Sequence, residues 1–61
     1  MVQRKKAGIR EAILEVAFDL FSEQGYSDTS IPAIARGAGI STANVYVYFT
    51  SKIDILFTFL L

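Results

Sequence analysis

Cysteine and histidine are both absent from the 61-residue chain. Without cysteine there can be no disulfide bond and no thiolate metal site. Without histidine the chain also lacks the commonest metal ligand and the usual general base. Its carboxylates fall at helix-surface spacing, which offers no cleft for acid–base chemistry. We therefore expect no catalytic residue, no metal, no cofactor and no enzymatic activity.

Long hydrophobic runs are scarce as well. The most apolar segment extends only from Ile53 to Leu61, whereas a membrane-spanning helix needs roughly 18 such residues. The basic residues Arg4 to Lys6 are not followed by the apolar stretch of a secretory signal. These features predict a cytoplasmic protein that has no membrane partner.

The net charge is zero, but the six basic and six acidic residues are segregated along the chain. Four acids recur at every fourth position: Glu11, Glu15, Asp19 and Glu23. On a helix they form one stripe. No acid lies between residues 29 and 53, whereas residues 1–8 form a basic arm. We predict two surfaces of different charge, of which only the acidic stripe should repel phosphates.

Hydrophobic periodicity predicts four helices in a chain long enough for one small domain. Their expected ranges are about residues 9–24, 31–38 and 42–48, and from about residue 52 onward. Ser41 and Ser51 stand at the N-cap positions of the last two helices, and either Thr29 or Ser30 caps the second. Gly39 suits the left-handed position that ends helix 2. The expected fold class is all-α: a three-helix, homeodomain-like helix-turn-helix domain plus the start of a fourth helix.

The predicted core lies where the apolar faces of these helices meet. It includes Ile13, Ala17, Ile34, Ala35, Val45 and three aromatic residues, Phe18, Phe21 and Phe49. Helix 4 is apolar nearly all round, so we expect it to be covered.

The stretch AGISTANVYVYFTSK, residues 38–52, has the β-branched and aromatic composition of a strand. On a helix, however, Val45 and Phe49 share one face. The opposite face then carries Thr42, Ala43, Tyr46 and Val47. We therefore predict a short helix that its neighbours hold in place, with an outer face offered to something other than water.

Helices 2 and 3, joined by Ala-Gly-Ile-Ser, form a helix-turn-helix candidate. In such motifs the second helix enters the major groove of DNA, which is about 12 Å wide. Small residues allow close approach to base edges, hydroxyl groups reach phosphates, and a valine methyl can meet the thymine methyl. Arg36 and Lys52 flank the motif with positive charge.

The run AILEVAFDLFSEQGYSDTSIPAIARGAGISTANVYVYFTSKIDIL resembles the DNA-binding domain of the tetracycline-repressor (TetR) family of bacterial transcriptional regulators. The matching pieces extend over roughly residues 9–56 in the same order and spacing. The resemblance implies a regulator, expected to be a repressor associated with the nucleoid, that binds double-stranded DNA through helix 3. Two positions depart from the family pattern: Ala43, where glycine is common, and Ile53, where glutamate is common.

The resemblance also implies roles for individual residues. Base or near-base contacts fall on Thr42, Ala43 and Val47. Phosphate contacts fall on Thr29, Ser30, Asn44, Tyr46, Tyr48 and Lys52. The basic arm, with Arg4 and Lys5, is expected to follow the phosphates or to enter the minor groove.

Members of this family continue after helix 4 into a helical domain that binds a small-molecule inducer and forms the dimer. That domain is absent from the 61 residues, so we expect them to be part of a longer regulator. The resemblance implies a homodimer on a palindromic operator, with the inducer bound only by the missing C-terminal domain.

An alternative function is a protein-interaction or dimerisation module. In that case the apolar helix 4 would recruit a partner helix, as amphipathic helices do when they bind in grooves.

Overall fold

The computed structural model describes residues 8–61, which form four helices and no strand. The helices are α1 (Ile9–Gln24), α2 (Ile31–Ala38), α3 (Thr42–Tyr48) and α4 (Lys52–Leu60). The all-α class predicted from the sequence is confirmed. None of the helices in this part of the chain is long and apolar enough to cross a membrane. The predicted contacts at Arg4 and Lys5 lie outside the described residues.

Three serine side chains begin the last three helices. Each hydroxyl accepts a hydrogen bond from the backbone N–H three residues later: Ser30 from Ala33 at 3.2 Å, Ser41 from Asn44 at 3.1 Å and Ser51 from Asp54 at 3.3 Å. Such caps satisfy N–H groups that have no partner within the helix. Of the two candidates for the α2 cap, Ser30 is therefore the one used. Gly39 ends α2 in the left-handed conformation, with φ 75° and ψ 28°.

The core lies where α1, α2, α3 and α4 converge. Its buried members are Ile13, Ala17, Ile31, Ile34, Ala35, Val45, Phe49 and Ile55. Every helix contributes at least one of them, including α3, whose strand-like composition is thus overridden by burial.

The assignment of Phe18 to the core is wrong, because its side chain is 58% exposed. Phe18 comes directly after the buried Ala17 and directly before Asp19 of the acidic stripe. On a helix its side chain therefore points in a different direction from that of Ala17. Its ring meets Phe59 of α4 edge-on, with the ring centroids 5.8 Å apart. The apolar arc of α1 is therefore narrower than its sequence periodicity predicts.

Helices α1 and α2 approach each other closely at Gly37. A Cβ atom added there would lie 2.6 Å from a γ carbon of Val16, which is closer than real Cβ contacts allow. The absence of a side chain at residue 37 thus lets α2 pack against α1.

We predict that Gly37→Ala destabilises the domain. Alanine in a helix normally gains about 0.5–1 kcal/mol over glycine, but overpacking costs about 1–3 kcal/mol. Thermal unfolding followed by circular dichroism should therefore show a lower Tm. As a control, Gly37→Ala should cost less in a Val16→Ala background, where the clashing γ carbons are gone. A higher Tm for the single variant would contradict the close approach of α1 and α2.

Candidate nucleic-acid interface

Helix α3 has a buried face and an exposed face. Val45 is fully buried and Phe49, at the C-cap, is 3% exposed. On the other side Val47 is 73% exposed, Tyr46 49% and Tyr48 40%. Ala43 is exposed, and Thr42 and Asn44 are partly exposed. All six residues predicted on this helix are thus at least partly accessible, and we call them together the α3 surface.

The turn between α2 and α3 fixes how this surface is presented. The N–H of Gly39 donates to the carbonyl of Arg36 at 3.1 Å, and that of Ile40 donates to the carbonyl of Ala35 at 3.0 Å. This pair of hydrogen bonds is the usual way in which a glycine in the left-handed conformation ends a helix. Ser41 then caps α3 at once. The two helices are therefore joined by a turn in which the backbone has little freedom.

Ser30 and Thr29 are adjacent in sequence but differ in accessibility. Ser30 is exposed, and because its oxygen accepts the capping bond, its hydroxyl proton remains free to donate. Thr29 is 1% exposed, and its hydroxyl donates to the carbonyl of Gly25 at 2.8 Å. The side chain of Thr29 is therefore engaged within the protein, where it shapes the loop before α2.

Lys52 is partly buried at the start of α4 and is bonded inside the protein. Its ammonium group donates to the carbonyl of Tyr26 at 2.7 Å and to that of Thr29 at 2.9 Å. The same nitrogen lies 4.2 Å from the centre of the Tyr26 ring. Only one of its three donors is left for another partner.

Charge separates the α3 surface from α1. No acid lies between residues 29 and 53. The four acids of the predicted stripe, Glu11, Glu15, Asp19 and Glu23, are all exposed on α1. A polyanion is therefore repelled from the acidic side of α1, but no carboxylate on α2 or α3 repels it.

Arg10, which follows the basic arm in the sequence, is a further candidate contact. Its guanidinium group lies over the ring of Phe49, 5.4 Å from the ring centre, beside the C-terminal end of α3. The side chain is 49% exposed, and its ion pair with Glu11 is loose at 3.8 Å. Because this contact joins α1 to the end of α3, no local sequence pattern could have revealed it.

A second surface lies on α1 and α4. It is an open groove with a volume of 340 Å³, lined by Leu14, Phe18 and Phe59 together with Glu11, Glu15 and Asp19. Within residues 8–61 no group of three acids could hold a metal ion. The groove shares no lining residue with the α3 surface.

Comparison with known proteins points to one family. Residues 13–58 match the family model described as bacterial regulatory proteins, tetR family. The chain is 54% identical over 48 residues to the HTH-type transcriptional regulator HbdR of Aromatoleum sp. (strain CIB), covering 79% of this chain and 21% of HbdR. It is 46% identical over 46 residues to the HTH-type transcriptional regulator AcrR of Shigella flexneri, covering 75% of this chain and 21% of AcrR.

The solved structure of the fatty acid degradation regulator FadR from Bacillus halodurans superposes with a TM-score of 0.82 at 30% identity. The match covers 92% of this chain and 29% of that one. The chain therefore spans about a fifth of the length of the two curated relatives and under a third of the solved neighbour.

We predict that Gly39→Ala destabilises the domain, because an L-residue in the left-handed conformation costs roughly 1–2 kcal/mol. Gly39→Asn should cost less, since asparagine tolerates this conformation. Urea unfolding of both variants measures the difference. Equal stability of the alanine and wild-type chains would contradict the turn geometry given above.

Proposed function

Because the chain belongs to the tetR family of bacterial regulatory proteins, we propose that it is the DNA-binding part of a transcriptional regulator and places α3 in the major groove. The observation that carries this proposal is the α3 surface. A helix with one face locked in the core presents small, hydroxyl-bearing and aromatic side chains on the other. No acid lies between residues 29 and 53 of the sequence.

The dimensions of α3 suit the major groove. An α-helix with its side chains is about 10–12 Å in diameter, which fits a groove about 12 Å wide, and the seven residues of α3 give it a length of about 10 Å. Thr42, Ala43 and Val47 would face the base edges. Val47, as the most exposed of the large α3 side chains, is suited to contact a thymine methyl group.

Hydroxyl and amide groups around the base-facing residues of α3 would bind the phosphates. They belong to Ser30, Asn44, Tyr46 and Tyr48. Arg4 and Lys5 of the basic arm would add contacts along the backbone. Such contacts fix the register of α3 on the duplex but do not read the sequence.

The regulator as a whole would act as a homodimer on a palindromic operator, since two-fold symmetric sites are read by two-fold symmetric proteins. Dimer formation and inducer binding would be functions of a region outside these 61 residues, since the relatives are about five times as long as the part that matches. We further propose that it acts as a repressor, because a dimer on an operator excludes other proteins from that DNA. It would act in the cytoplasm, where bacterial DNA is found, and without enzymatic activity.

A second candidate function is suggested by the groove between α1 and α4. Phe18 lines this groove and is 58% exposed, and Phe57 and Leu60 of α4, which do not line it, are also more than half exposed. Exposed apolar surface on a small domain can mark an interaction site. This surface would suit a partner helix. Light scattering tests it: a chain that stays monomeric at high concentration would count against self-association through this groove.

Binding to DNA should depend steeply on salt. We expect fluorescence anisotropy with a mixed-sequence duplex of about two helical turns to show weak, mostly non-specific binding by the 61-residue chain, with Kd about 10⁻⁴–10⁻⁶ M at physiological salt. The affinity should fall as salt rises from about 50 to 200 mM. Absence of binding even at the lowest salt would overturn the proposed function.

Two substitutions on α3 should distinguish phosphate contacts, which position the helix on DNA, from base contacts, which read the sequence. Tyr46→Phe removes a hydroxyl donor to a phosphate and should weaken binding by about tenfold on any sequence. Val47→Ala should instead change the preference among operator variants, because it removes methyl contacts to bases. Ser22→Ala, on the exposed side of α1, is the control and should leave binding unchanged. Fluorescence anisotropy measures the loss of affinity in Tyr46→Phe, and a selection experiment with randomised duplexes measures the changed preference in Val47→Ala.

A further inference from the structure

Lys52 connects two parts of the chain that are distant in sequence. It is the first residue of α4, and its two backbone acceptors, Tyr26 and Thr29, lie in the loop between α1 and α2. These carbonyls belong to one tight turn, because the N–H of Thr29 also donates to the carbonyl of Tyr26 at 3.2 Å. The ammonium group therefore bonds to both ends of a single turn.

The position of this turn determines where α2 begins. Thr29 is followed directly by Ser30, the N-cap of α2. The side-chain amide of Gln24 holds the turn from the α1 side by donating to the carbonyl of Asp28 at 3.1 Å. The turn is thus held by α1 on one side and by α4 on the other.

The same lysine lies close to the end of α3. Phe49 caps α3, and α4 begins three positions later at Lys52. Helices α2 and α3 are joined at one end by the turn at Gly39. Lys52 links the opposite ends, the start of α2 and the region just after α3.

We propose that Lys52 is a positioning residue that fixes the angle between α2 and α3, and that it does not act as a phosphate ligand. The proposal rests on the DNA-binding function proposed above and changes the role that the family resemblance implies for this residue. To engage a phosphate with more than its one remaining donor, the ammonium group would have to give up at least one of two charge-assisted bonds in a partly buried site. It would also leave the face of the Tyr26 ring. Lys52 therefore supports DNA binding by fixing the orientation of α3 relative to α2.

Lys52→Met tests this role, because it removes the charge and donors but keeps most of the aliphatic stem. We expect DNA affinity to fall by about tenfold with no change in the slope of log K against log salt. A phosphate ligand would instead lower the magnitude of that slope by about 0.9. Arg36→Met, on the exposed side of α2, removes the same charge and is the matched control. It should change the affinity by less than Lys52→Met.

Hydrogen exchange without DNA gives an independent readout. In Lys52→Met the amides of Thr29 and of the first turn of α2 should exchange faster than in the wild type, whereas in Arg36→Met they should not. Unchanged exchange in Lys52→Met would overturn the proposal. Because this measurement needs no DNA, it separates failure of the positioning role from failure of the proposed function, which would show as no binding by the wild type.

The wild-type chain provides a test that does not depend on how the variant folds. With ¹⁵N-labelled lysine, the side-chain nitrogen resonance of Lys52 should keep its position when the mixed-sequence duplex is added at low salt. A scalar coupling between this nitrogen and a DNA phosphorus would show a direct phosphate bond and would overturn the proposal.

Discussion

The burial of Val45 and Phe49 is the interaction on which the rest of the structure depends. Helix α3 has only seven residues, and isolated helices shorter than about 12–15 residues are marginal in water. Its β-branched and aromatic composition also disfavours a free helix. The helix exists because these two side chains join Ile13 and Ile34 in the core. The outer face of α3 is consequently not needed for packing in the core and can be used for recognition.

Two kinds of constraint, one local and one between distant parts of the chain, convert this packing into a defined recognition surface. Serine caps start the short helices, and the left-handed Gly39 sets the turn between α2 and α3. The second kind acts over a distance, through the bonds that Lys52 makes to the α1–α2 loop. Together they hold both ends of the helix pair. A regulator needs this rigidity because a helix that enters the major groove must keep its orientation there.

Much of this fold could be predicted from the sequence because its signals are local. The caps at Ser41 and Ser51, the glycine at residue 39 and the spacing of Val45 and Phe49 each act within a few residues. Features that depend on distant partners could not be predicted. The exposure of Phe18, the burial of Thr29, the stacking of Arg10 on Phe49 and the internal bonds of Lys52 all depend on how separate helices meet. Phosphate roles assigned by family resemblance are weakest at Thr29 and Lys52 for the same reason.

We propose that the α3 surface, and not the acidic side of α1 or the apolar groove, meets DNA. Nuclear magnetic resonance titration of the ¹⁵N-labelled chain with a mixed-sequence duplex at low salt tests it most directly. We expect the largest amide shifts on residues 42–48 and on Ser30, while the amides of Glu11, Asp19 and Glu23 stay unchanged. Shifts concentrated on α1 and α4, with α3 unaffected, would contradict it.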